Sequence, residues 1–239
     1  MRIYAVKKDE LERFDIEKMT QLLDCKRRQR INQIKRKEDR LRSIGAGLLL
    51  RYGYLQRGYT EEDWEALEIK EEKNGKPYVQ DGEFHFSLSH SGDWILCAVD
   101  SQEVGVDIEQ IKDYREKVAE RFFSQIEVQK LQQEEIQNRR ELFYQLWTAK
   151  ESYTKLTGTG LTIPLSEVVC EIENNRIYDC GQSEYAKIEY IDTIEQYMIC
   201  VCVKEEETKI PKEVERLTGL QLLEGCYAKG KWEKCGKKG

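Results

Sequence analysis

Two short segments carry side chains that could do chemistry together. In Gly105-Val106-Asp107-Ile108-Glu109 two carboxylates stand two residues apart. Alternation along a strand puts both on one face and turns Val106 and Ile108 the other way, toward a core. A carboxylate pair on one face is a place for a cation, although a solvated strand face reads the same. Forty residues beyond Asp107 comes Trp147-Thr148-Ala149-Lys150-Glu151-Ser152-Tyr153-Thr154-Lys155. Trp147, Glu151 and Lys155 recur at four-residue spacing, which lines them along one stripe of a helix. A proton acceptor and a cation on that stripe could face one phosphate. Standing alone, they are also an ordinary Glu–Lys helix pair.

A third feature is charge. The 239-residue chain has a formal net charge of -6, which argues against general nucleic-acid binding. Yet residues 26–42 hold nine Lys or Arg, among them Arg27 and Arg30, against Glu38 and Asp39. That is a local anion site in an acidic protein. The composition, 39% hydrophobic with 10% aromatic residues, is enough for a real core. No apolar run approaches the roughly 20 residues needed to span a bilayer, and the first eight residues alternate like a strand, so no membrane is expected. The eight cysteines include no Cys-x-x-Cys pair, and Cys97, Cys200 and Cys202 sit in apolar runs, so reduced thiols in a cytoplasmic protein are expected.

The elements that must position these groups follow from periodicity. Leu41, Ile44, Leu48, Tyr52 and Leu55 form an apolar stripe on a helix over 37–57, with Arg36, Arg40, Ser43 and Gly47 opposite. Strand-like pieces follow at 66–71, 84–89, 94–99 and 104–109, with a turn at 73–77. Ser124 and Glu127 predict a capping box. A long helix is expected over 139–157, stopped by Gly158. Further strands are expected at 168–173, 186–191 and 197–203. The order of helix then strands thus occurs twice, and Trp94-Ile95-Leu96-Cys97-Ala98-Val99 echoes Tyr197-Met198-Ile199-Cys200-Val201-Cys202. The expectation is an α+β fold, a pseudo-dimer of two similar halves, each a long helix packed on a small antiparallel sheet. The halves are placed at 1–104 and 105–205, with a partly loose extension at 206–239 that ends in a Lys- and Gly-rich tail from 229.

In order and spacing, Lys37-Glu38-Asp39 to Ser43, Asn74-Gly75-Lys76-Pro77, Phe86-Ser87-Leu88-Ser89-His90-Ser91-Gly92 and the two segments above resemble the signature of the phosphopantetheinyl transferase superfamily. Length and the two-half layout look like its Sfp-type enzymes, over roughly residues 1–203. The resemblance implies transfer of the 4′-phosphopantetheine arm of coenzyme A, the co-substrate, to a serine of an acyl or peptidyl carrier protein, releasing 3′,5′-ADP. It implies Mg²⁺ held by Asp107, Glu109 and Glu151, an oxygen-only set with no Cys or His nearby that suits a hard ion. Among the catalytic groups Glu151 is the first choice of base, with Glu109 or a metal-bound water as alternatives, and Lys155 carries charge. For coenzyme A it implies Lys76 beside the adenine, Ser89 and Lys155 at the pyrophosphate, and Arg27, Arg30, Ser43 and His90 at the 3′-phosphate. Which of Lys26, Arg27 and Arg28 makes that contact stays open. Gly158, Gly160, Leu161 and Ile163 are implied in carrier docking, or are simply a turn into a strand. Rival readings are a Mg²⁺-dependent phosphohydrolase acting on coenzyme A and a non-catalytic coenzyme A or carrier-protein binding module. A monomer is expected.

Overall fold

A computed structural model describes residues 1–80, 82–181, 184–204 and 207–227, without the side chain of Leu161; the Lys-rich tail lies outside them. The chain opens with strand β1 (Arg2–Lys7) and helices α1 (Lys8–Leu11), α2 (Ile16–Gln21), α3 (Cys25–Ile31), α4 (Lys37–Gln56) and α5 (Glu61–Ala66). A ribbon of β2 (Ile69–Glu71) and β3 (Pro77–Val79) leads to strands β4 (His85–Ser91), β5 (Trp94–Asp100) and β6 (Val104–Gln110). Helices α6 (Glu116–Phe122), α7 (Gln125–Gln133) and α8 (Ile136–Thr157) precede β7 (Val168–Glu171), β8 (Arg176–Asp179), β9 (Ala186–Tyr190) and β10 (Tyr197–Val203). The described chain ends with β11 (Glu215–Leu217) and α9 (Gly219–Cys226).

Two compact units result, each an α+β assembly around its own core. The first comprises Met1–Lys70, Pro77–Ser101 and the segment from Val214; the second comprises Glu71–Lys76 and Gln102–Glu213. The chain therefore divides at 101 rather than 104. The turn at 71–76 is held by the second unit, and the last segment returns to the first instead of standing apart. There β11 pairs in parallel with β1, so this sheet, ordered β11-β1-β5-β4, is not purely antiparallel. The return is built in by apolar residues, since Leu222, Leu223 and Cys226 of α9 are wholly buried in the first core. Arg51 of α4 also donates to the Cys226 carbonyl at 2.9 Å.

In the first unit α4 lies over β5 and β1. Its single expected stripe is too narrow a description. From Ile44 to Leu50 every residue is buried, because α1, α3 and α9 cover the side away from the sheet. The second unit repeats the plan, with α8 over β6 and β10 of an antiparallel sheet ordered β6-β10-β9-β8-β7. Its capping box forms as expected, Glu127 N–H to Ser124 Oγ and Ser124 N–H to Glu127 Oε2. The long helix starts at Ile136, a few residues before the periodic stripe.

Candidate active site

The carboxylate strand and the helix meet where a glycine lets them. A Cβ built on Gly105 would stand 1.9 Å from the Ser152 carbonyl oxygen and 2.7 Å from the Leu156 nitrogen. Backbone thus packs directly on backbone, and no other residue fits there. This contact sets the face. Residues opposed across an antiparallel pair share a side, and Asp107 opposes Cys200 while Gly105 opposes Cys202. Both cysteines belong to the core beneath α8. The acidic face is therefore the helix-facing one, whereas Val106 and Ile108 share the other side with Val201 and Ile199, buried as well. A solvated strand face is excluded, since Asp107 is only 3% exposed.

Lys155 Nζ reaches Asp107 Oδ1 at 2.7 Å. Glu151, one helical turn earlier on α8, is half-buried. Its carboxyl is pushed above the ordinary range by burial and by the negative charge of Asp107 and Glu109, with Lys155 pulling the other way. The three carboxylates therefore share one electrostatic field. Among the described residues no three His, Cys, Asp or Glu side chains are arranged as ligands around one point. The donor chemistry does fit a hard divalent ion: three carboxylates whose mutual repulsion a cation would relieve. One detail differs from the expectation that no cysteine is near, because Cys200 stands opposite Asp107. Burial raises its thiol well above the usual range, so it is no thiolate ligand.

Sequence reasoning passed over the neighbour of Glu151. Lys150 is fully buried and pairs with Glu127 Oε2 at 2.8 Å, and its ammonium also donates to the Leu165 carbonyl at 2.9 Å. Glu127 Oε1 in turn accepts from Cys170 N–H at 2.9 Å. The pair ties α7, α8 and β7 together from inside. The Ser124-to-Glu127 capping signal located this glutamate but gave no hint of its partner.

Lys76 and the glycines after α8 meet in the same unit. Lys76 Nζ donates to the Leu156 carbonyl at 2.8 Å, and Asn74 Nδ2 to the Gly158 carbonyl at 3.1 Å. Burial pulls Lys76 below the usual lysine range, opposed by Glu103 and Glu72. Gly158 takes φ +68° and Gly160 φ +54°, a backbone that side chains disfavour. Ile163 is half-buried and packs on the second core.

In the first unit, Arg27 and Ser43 are brought together. Arg27 Nη1 donates to the Ser43 carbonyl at 3.4 Å and Nε pairs with Asp24 Oδ2 at 3.5 Å. Its two neighbours differ. Arg28 spends its guanidinium on the carbonyls of Gln21 and Leu23, at 3.0 and 2.9 Å, and Lys26 is exposed. Arg27 is thus the inward-facing cation of the three. Arg30 is exposed on α3, Ser89 is buried on β4, and His90 beside it is exposed. Arg42, next to Ser43, donates twice to the Gly92 carbonyl, at 3.3 and 3.1 Å, and so ties α4 to the β4–β5 turn.

An acidic strand face closed by a helix that carries Glu-x-x-x-Lys, in a chain built twice on one α+β plan, defines a class. Residues 103–202 match the 4'-phosphopantetheinyl transferase superfamily, and residues 11–102 match the family described as 4'-phosphopantetheinyl transferase, N-terminal. A 4'-phosphopantetheinyl transferase of Bacillus subtilis is 32% identical over 84% of this chain and 92% of its own length. The chain belongs to the 4′-phosphopantetheinyl transferase superfamily. Within it the chain is of the Sfp type. It is 29% identical to 4'-phosphopantetheinyl transferase Sfp of Bacillus subtilis (strain 168), over 93% of this chain and 100% of Sfp. It is 34% identical to 4'-phosphopantetheinyl transferase psf-1 of Bacillus pumilus, over 73% of this chain and 76% of that protein.

Proposed function

We propose that this transferase moves the 4′-phosphopantetheine arm of coenzyme A onto a serine of an apo acyl or peptidyl carrier protein, with Asp107, Glu109, Glu151 and Lys155 as the reacting constellation. The observation that carries the residue assignment is the Lys155–Asp107 pair beside Glu151, in one field of negative charge. Asp107, Glu109 and Glu151 would hold Mg²⁺, which when bound neutralises charge on the pyrophosphate of coenzyme A. Glu151 takes the proton of the attacking serine hydroxyl, as the proton acceptor on the helix stripe that also carries Lys155. The new bond forms between the serine oxygen and the β-phosphorus as the bond to the bridging oxygen breaks, and 3′,5′-ADP leaves. Lys155, anchored on Asp107, supplies positive charge beside the phosphate oxygens as they gain negative charge. Arg27, with Ser43, Arg30 and His90, would take the 3′-phosphate, Ser89 the pyrophosphate and Lys76 the adenine side. Carrier docking is assigned to Gly158, Gly160, Leu161 and Ile163. We place the protein in the cytoplasm as a monomer, on the free thiols of the described cysteines and its internally repeated plan; among the described residues no helix is long and apolar enough to cross a membrane.

The test is intact mass spectrometry of several apo-carriers incubated with coenzyme A, Mg²⁺ and the protein. The expected result is a carrier heavier by one phosphopantetheine arm, only with Mg²⁺. Release of free phosphopantetheine with unmodified carrier would instead indicate a phosphohydrolase, and binding without any product a non-catalytic module.

A further inference from the structure

The last turn of a helix leaves carbonyls without intrahelical partners. In α8 that turn carries Lys155, so its position decides where the lysine ammonium stands against Asp107. The groups that satisfy those carbonyls come from about eighty residues earlier, from a turn flanked on both sides by the first unit yet held by the second. Lys76 caps the Leu156 carbonyl and Asn74 the Gly158 carbonyl. A cation at a helix C-terminus also meets the negative end of its dipole. The fit extends to the glycines. A Cβ on Gly158 would lie 2.0 Å from Glu72 Oε2, and one on Gly160 would lie 3.3 Å from Asn74 Cβ. Both glycines are thus accounted for by the turn that lies on them.

We propose that the 71–76 turn is a clamp on the catalytic helix, in which Asn74 and Lys76 are positioning residues that hold the last turn of α8 and, through it, Lys155. This rests on the transfer reading for its kinetic consequence, not for its structural one. Asn74 touches none of the reacting groups and acts only through the Gly158 carbonyl. Lys76, implicated beside the adenine, acts on the helix from the same turn.

The experiment pairs kinetics with hydrogen exchange of the whole protein. In Asn74→Ala and Lys76→Met, kcat for carrier modification is expected to fall about tenfold, as for a misplaced catalytic group, while the KM for coenzyme A in Asn74→Ala stays within about twofold. Amides of residues 152–160 are expected to exchange faster in both variants, with β10 amides unchanged. Lys76→Arg keeps a cationic donor and is expected to recover most of the rate and the protection. An Asn74→Ala protein with wild-type kcat, or with unchanged exchange at 152–160, overturns the clamp. So does a Lys76→Met protein that only raises the KM for coenzyme A. If the wild-type chain modifies no carrier, the transfer reading fails, and the exchange measurement still decides the clamp.

Discussion

The two units use one scaffold for different ends, and the register shows where they part. In the first, β1 pairs antiparallel with β5, and Tyr4 opposes Cys97 while Val6 opposes Ile95. In the second, β6 pairs antiparallel with β10, and Asp107 opposes Cys200 while Glu109 opposes Met198. The echo between the two apolar strands aligns Cys97 with Cys200 and Ile95 with Met198. Tyr4 and Val6 therefore occupy the same helix-facing slots as Asp107 and Glu109. The first unit fills them with core: both residues are wholly buried under α4. The second fills them with carboxylates and sets Lys155 and Glu151 of α8 against them. The proposed active site is two helix-facing positions of a repeated fold given to charge, Asp107 buried and Glu109 half-buried. The cost of burying the Asp107 charge is offset by its pairing with Lys155.

The largest effect is expected from forcing the first unit to resemble the second. Tyr4→Asp puts a carboxylate into the core opposite Cys97 and beside Tyr52, loses the hydroxyl that accepts from Arg2 Nη1 at 3.5 Å, and leaves a cavity behind. A loss of about 4 kcal/mol or more is expected, as for a carboxylate buried in an apolar core plus a lost aromatic ring. Denaturant unfolding checks it, and a stable Tyr4→Asp protein would mean that the slots are not equivalent.

The reverse change, Asp107→Ala, removes charge from the second unit. Transfer is expected to fall by about 10³-fold, the scale for losing one preorganised electrostatic group, here the anchor of Lys155 and a proposed Mg²⁺ carboxylate, with stability nearly kept because repulsion among the carboxylates is relieved. Quenched carrier-modification assays with titrated Mg²⁺ measure it. Near wild-type turnover would remove Asp107 from the site.

Lys155→Ala should lower kcat by about 10²-fold and change the KM for coenzyme A little, since the lysine counts most as charge develops. A raised KM with unchanged kcat would reduce it to uniform ligand binding.

The smallest effect belongs to the basic end of the first unit. Replacing Arg27 with Gln should weaken coenzyme A about tenfold, the scale of one charge-assisted contact to the 3′-phosphate, and dephospho-coenzyme A hardly at all. Calorimetry with both ligands decides; equal losses would leave Arg27 a structural partner of Asp24 and Ser43 alone.

Much of this was legible along the chain. The stripe of Leu41, Ile44 and Leu48 located α4, the spacing of Leu142, Leu146, Ala149 and Tyr153 located α8, and Ser124 with Glu127 located a helix start. Period-two alternation put Asp107 and Glu109 on one face, and four-residue spacing put Glu151 and Lys155 on one stripe. These are local regularities, set by the geometry of a single helix or strand. The same local logic sent Val106 and Ile108 toward the core and left the acids outside, because a strand's pattern names two faces without saying what covers each. It also left residues 206–239 an extension, since nothing short-range reveals that α9 packs on α4.

What the sequence by itself determined is the set of chemical groups, their spacing along two elements, and the repeat that makes two halves. Only the tertiary structure decided that the acidic face lies under the helix, because that follows from Gly105 meeting the Ser152 carbonyl at backbone distance. It alone turned Arg27 inward while leaving Lys26 exposed, matched buried Lys150 to Glu127, and bound Lys76 to the end of α8. Each of these is a contact between groups far apart in the chain, fixed by the need to pair buried charges and carbonyls, and no local pattern encodes which distant partner will answer.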